Sequence, residues 1–178
     1  LDINPAVAGT EFLPLIFASL LTGIQLKIIY KPFKEEAFSI TVHPFLLKEY
    51  NNRWYLLCQS DHRDGLSLLA LDRMQEVQQL EDQAMDCPVD CATYYDHVIG
   101  VSITEGATIE KVEFSISADR LPYLQTKPLH RTQQIDMLEN NAVVKLQVII
   151  NNELKSALLS LSRDVIVLHP QHLAIELQ

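Results

Sequence analysis

The chain is short of the residues from which several common kinds of site are built. Only five glycines occur in 178 residues, and no GxGxxG or GxxxxGK[ST] run is among them. No glycine-rich loop is therefore available to cradle a phosphate on its backbone amides. The HExxH and GxSxG patterns are also absent, which removes two familiar hydrolase signatures. Cysteine is scarce and odd in number: Cys58, Cys87 and Cys91 suit a reducing cytoplasm better than a disulfide framework. Cys87 and Cys91 lack a second ligand pair, and Pro170 breaks the helical register between His169 and His172, so no metal site is expected. Long apolar runs are missing as well. The longest, 12–21 (FLPLIFASLL), contains Pro14 and falls short of the roughly 20 residues that span a bilayer. No Lys or Arg precedes Lys27, so a secretory leader is not expected either. Finally, 14 Lys and Arg stand against 23 Asp and Glu, a net charge of −9. That balance excludes a broad basic surface gripping duplex nucleic acid and leaves only a local contact open.

What is present is an ordinary globular mixture, 48% hydrophobic and 21% charged, long enough to bury a core without covalent staples. The chain begins at Leu1 and is expected to be a piece of something longer. Residues 10–22 read as a helix, with Thr10 as N-cap, Glu11 in the first turn and Gly23 as its stop. The apolar period then changes to two. Short runs at 25–31, 37–43, 45–50, 53–59, 66–71 and 74–80 are rich in β-branched and aromatic residues. Asn51-Asn52 forms a hairpin turn between two of them, since Asn tolerates the positive φ of a type I′ turn. Such strands with tight connections point to a small, strongly bent barrel.

A linker is expected at 84–95, where periodicity lapses and acidic residues cluster, so that 1–83 and 96–178 form two domains. The second reads as α+β: strands at 109–117, 131–135, 142–150 and 164–169, a short helix at 118–124, and a helix at 153–161 capped by Asn151. The fold class is thus mainly β with an α+β second half. Charge divides unevenly too. Between 27 and 73, seven basic residues meet six acidic ones, so this segment is near neutral within an acidic chain. Convergence of its cations would make a selective anion pocket.

Catalysis is not expected. Cys58, a conceivable nucleophile with His43 or His62 as base, lies on the alternation of an apolar strand, where thiols are buried and inert. The stronger signal is an ordered set: Val42-His43-Pro44-Phe45, then Arg53-Trp54-Tyr55-Leu56-Leu57, then Leu69-Ala70-Leu71-Asp72-Arg73-Met74. With the preceding helix and Tyr30 ending the first strand, this resembles the WYL domain, a bacterial regulatory module named for its Trp-Tyr-Leu tripeptide. Ile99-Gly100-Val101, Pro128-Leu129-His130, Asn151-Asn152-Glu153-Leu154 and Val167-Leu168-His169-Pro170 are similar to the C-terminal extension that follows that domain.

The resemblance implies an Sm-like, SH3-type small β-barrel that takes an anionic ligand, a nucleotide or short single-stranded nucleic acid. It also implies homodimers, and contact with duplex DNA only through a helix-turn-helix outside this chain. No cofactor is implied. The site residues it points to are His43, Arg53, Tyr55, Arg63 and Arg73, with Tyr30 and Lys31 at the end of the first strand. Alternation sends Trp54 to the core and Arg53 with Tyr55 to the other face. An arginine fork suits a phosphate, and a tyrosine can stack on a base. Ala70 departs from the pattern, since many members carry a further arginine there, which bears on anion specificity. A pure dimerisation or protein-interaction module is the alternative, and light scattering that showed self-association without dependence on small anions would favour it.

Overall fold

The computed structural model describes residues 8–61, 63–161 and 165–177, with Arg63 described by its backbone alone. The chain forms two compact units, Leu1–Ala92 and Thr93–Gln178, each with an antiparallel sheet and helices.

In the first unit, helix α1 (Leu13–Thr22) is followed by β1 (Ile24–Tyr30), β2 (Phe38–Tyr50), β3 (Arg53–Ser60), β4 (Arg63–Ala70) and β5 (Met74–Gln83). The sheet order is β4-β3-β2-β1-β5. Thr10 does not cap the helix as expected. It opens a 3-10 turn, Thr10–Phe12, and α1 starts at Leu13 with Pro14 in its first turn and no side-chain cap bond. Proline is favoured there because its fixed φ suits a helix start and the amide it lacks would have no partner in the helix. The stop at Gly23 is realised, with φ 65° and its amide on Ser19 O. The helix covers the sheet with Ile16, Leu13 and Leu20 and leaves Phe17 and Leu21 exposed.

Two runs expected as separate strands, 37–43 and 45–50, are one strand, β2. Pro44 is accommodated by a bulge between Pro44 and Leu46, the place where a sheet tolerates a residue without an amide hydrogen. The Asn51-Asn52 turn is present as read, with φ 49° and 59°.

The expected small, strongly bent barrel is not closed. Among the described residues no ladder joins β4 to β5, the two edges of the sheet. Instead a 3-10 turn, Leu71–Arg73, carries the chain directly from one edge strand to the other. Four Cα steps reach at most about 15 Å, so the sheet curls until its edges approach, while the turn, with Leu71 fully buried, bridges them. Gly9, at φ 88°, packs so closely against this turn that a Cβ would stand 2.3 Å from the Leu71 carbonyl carbon.

The second unit holds β6 (Ile109–Ser117), α2 (Leu121–Thr126), β7 (Gln134–Met137), β8 (Asn141–Ile149), α3 (Asn152–Ser160), β9 (Val165–His169) and α4 (Gln171–Glu176), with sheet order β7-β8-β6-β9. Strict alternation in β6 and β8 buries Val112, Phe114 and Ile116 against Ala142, Val144, Leu146 and Val148. Leu154 and Leu158 of α3 and Leu173 of α4 close the same core. Helix α4 is not foreseen in the sequence, since it starts immediately after Pro170 and is only six residues long. Among the described residues no helix is long and apolar enough to cross a membrane.

Candidate anion-binding site

The turn that joins β4 to β5 also gathers the candidate cations. Lys31 follows β1, and its amide donates to Arg73 O at 2.9 Å, which fixes the end of β1 against the turn. Tyr30, 5% exposed, lies beneath: its hydroxyl accepts from the Ala70 amide at 3.3 Å, and its ring meets Phe38 edge-on. Tyr30 is thus a buried brace that positions the turn. Arg73 lays its guanidinium over the Phe33 ring, 4.1 Å from the centroid, a cation–π contact worth about 0.5–1 kcal/mol at an exposed site. The Arg73 Nε is buried and finds no hydrogen-bond partner among the described residues. Donors left unsatisfied in this way are uncommon in folded chains and call for an explanation, an unseen acceptor being one.

Arg53 opens β3 and is tied to the same turn through Asp72, Nε to Oδ2 at 3.0 Å. At 42% side-chain exposure, this pair contributes at most about 1 kcal/mol. It does orient Arg53 and engages Oδ2 of the turn's one carboxylate, whose buried Oδ1 has no hydrogen-bond partner among the described residues. Lys31, Pro32, Phe33, Asp72, Arg73, Met74 and Gln75 line a shallow cavity of about 270 Å³, open to solvent. Two of its lining residues are cations, and its one carboxylate is engaged by a third.

Tyr55 stands on the face of β3 opposite Trp54, in the row Lys48–Tyr55–Ala70, where Ala70 is buried, since directly opposed residues share a face. Trp54 and Leu56 pack into the core from the other face, the division that alternation requires. Burial holds the Lys48 ammonium below its ordinary pKa, opposed by Glu49. Ala70 therefore occupies the position beside Tyr55 where a further cation would join this row.

His43 is not part of this cluster. It lies five residues along β2 from Phe38, the partner of Tyr30, roughly 17 Å at about 3.3 Å per residue. Its Nδ1 accepts from the Met85 amide at 3.0 Å while Nε2 meets Asp61 Oδ1 at 2.7 Å. An accepting Nδ1 leaves Nε2 as the donor to Asp61, so the imidazole serves as a clamp between β2 and the segment after β5. Arg63 begins β4 opposite Ser60, at the far end of the strand from Ala70. Its side chain, and His62, lie outside the described residues.

Sequence reasoning missed Phe33 and Lys48. Phe33 sits between Pro32 and Lys34 in a loop without periodicity, and nothing local marks it as the platform under a residue 40 positions away. Lys48 is one basic residue among several in a strand, and only the register with Tyr55 singles it out.

The family model of the WYL domain matches residues 11–79 and that of the WCX domain residues 108–178. No curated protein matches significantly. Among solved structures, proteasome accessory factor B/C (PafBC) of Arthrobacter aurescens is similar at 16% identity and a TM-score of 0.42, covering 95% of this chain and 26% of that one. A CRISPR Cas-related protein is similar at 12% identity and a TM-score of 0.52, covering 94% of this chain and 48% of that one. This chain thus spans about a quarter and about half of the two structures. The likeness to the second is one of fold. No catalytic family is among these matches.

Proposed function

Because the chain belongs to the WYL-domain family, carrying a WYL domain and a WCX domain in tandem, we propose that it is the ligand-sensing effector portion of a bacterial transcriptional regulator. Its ligand is anionic, a nucleotide or a short single-stranded nucleic acid, received at the cavity between Lys31 and Arg73. The observation that carries this reading is the Arg73 guanidinium, set over Phe33 at a solvent-open cavity with its Nε unpaired and Lys31 beside it. A phosphate there would take charge-assisted bonds from Arg73, and the exposed Phe33 ring offers a face for a base. Arg53, oriented by Asp72, extends the cationic edge toward Tyr55.

The mechanism is binding without turnover. Ligand binding shifts the population between two arrangements of a homodimer, and so of DNA-reading domains elsewhere in the full protein. Only differential affinity of the ligand for the two arrangements can drive that shift.

Titration of labelled oligonucleotides and a nucleotide panel at low salt against the wild type and Arg73→Ala tests the assignment. A hydrogen bond to a charged group contributes about 1.5–3 kcal/mol, so the variant should bind about 10- to 100-fold more weakly. Equal binding by both proteins, or none by either, would refute the site.

A further inference from the structure

We propose that Cys87 and Cys91 form a reversible dithiol–disulfide site, oxidised by low-molecular-weight disulfides, at the end of the first unit. The Cys91 thiol donates to the Cys87 sulfur at 2.9 Å, only about 0.9 Å longer than the ~2.0 Å of a disulfide bond. Neither residue is fully buried. The five-residue loop is stiffened for closure: Pro88 fixes one φ, and the Ala92 amide donates to Asp90 Oδ1 at 2.9 Å. The segment that carries it is anchored upstream, with the Ala84 amide on Gly23 O at 2.7 Å and the Met85 amide on His43 Nδ1 at 3.0 Å. The two thiols are therefore held near each other by the folded chain.

The two cysteines have distinct roles. Burial, followed by the contact with Cys87, pushes the Cys91 thiol up to about 12, so Cys91 is a thiol at neutral pH and Cys87 makes the first attack. The Cys87 thiolate attacks one sulfur of glutathione disulfide and expels one glutathione, leaving a mixed disulfide on Cys87. Cys91 then gives up its proton and attacks the Cys87 sulfur, expelling the second glutathione. Two electrons pass from the protein to the glutathione disulfide, and the two released thiolates take up two protons. Oxidation consumes the one Cys91 S–H, whose sulfur also lies 3.8 Å from Phe45 O at the bulge of β2. Cys58 takes no part, being buried, with its thiol likewise pushed up to about 12.

The test uses the full chain equilibrated in glutathione buffers of graded redox ratio, with free thiols trapped by alkylation and the linkages read by peptide mass spectrometry. Cys87 and Cys91 should disappear together into one intrachain disulfide, return on reduction, and leave Cys58 unlinked. Closure should be at least about tenfold more favourable in the native chain than in urea, because the fold holds the thiols together. Cys91→Ser should instead accumulate a glutathione adduct on Cys87. Persistence of both thiols at the oxidising end, closure no more favourable than in urea, or linkage between chains would overturn the proposal.

Discussion

Asn151 satisfies three backbone groups with one side chain. Its Oδ1 accepts from the Leu154 amide at 2.8 Å, and its Nδ2 donates to Ile99 O and Ser102 O at 2.8 and 2.9 Å. The first bond is local and legible, because Asn directly before an apolar helical period is an N-cap signal. The other two join positions about 50 apart in sequence, and no local pattern encodes them. Glu153 does the same for the amides of Val101 and Ser102, so two stretches singled out separately in the sequence turn out to hold each other. Asn151→Ala deletes a cap worth about 1 kcal/mol and strands two carbonyls, of which only that of Ile99 stays buried, at about 1–3 kcal/mol. The variant should lose about 2–4 kcal/mol of stability in the second unit, seen as faster amide exchange at 112–116. Asn151→Asp, which keeps only the acceptor, should fall between. Arg73 was legible from its Leu-Asp-Arg setting, but its partner Phe33 was not. For His43, the residue type drew attention, while Asp61 and Met85, which fix what it does, lie 18 and 42 positions away.

At the scale of elements, hairpin chemistry was readable where a single residue property decides it. Asn51 and Asn52 both take positive φ, as a two-residue I′ turn requires. Glycine is the better residue at the second position, and the backbone bond from the Asn52 amide to Glu49 Oε1 survives the change. Asn52→Gly should therefore stabilise the first unit by up to about 1 kcal/mol, raising the denaturation midpoint followed by fluorescence of Trp54, the single tryptophan. Strand ends were less readable. Pro44 looked like a break, yet the bulge beside it lets β2 run for 13 residues. The helix starts later than Thr10, a good cap residue, suggests, because the first turn that Pro14 favours begins three residues on, at Leu13.

For the whole molecule, the mainly β first half and α+β second half legible in the sequence are both present as antiparallel sheets with helices. Closure of the first sheet was not legible, because alternation specifies which face is buried but not whether edge strands pair. That edge is where Leu71–Arg73 runs, so the same turn that takes the place of a closing ladder presents Arg73 to solvent. A net charge of −9 over the chain and a cationic turn are compatible for a physical reason. Exposed charges beyond a Debye length of about 8 Å are largely screened, so a ligand at the cavity responds chiefly to Lys31, Arg53 and Arg73. The acidic remainder disfavours polyanions that contact more than this turn.

One anionic ligand is expected to bind at the proposed site, the turn between β4 and β5. Mapping amide chemical shifts of the full chain during titration with a short single-stranded oligonucleotide tests it most directly. Perturbations should concentrate at 31–33, 53–55 and 71–75, saturate with one ligand per chain and be lost in Arg73→Ala. Shifts centred on His43 or confined to the second unit, or a saturable interaction that leaves 71–75 unmoved, would contradict it.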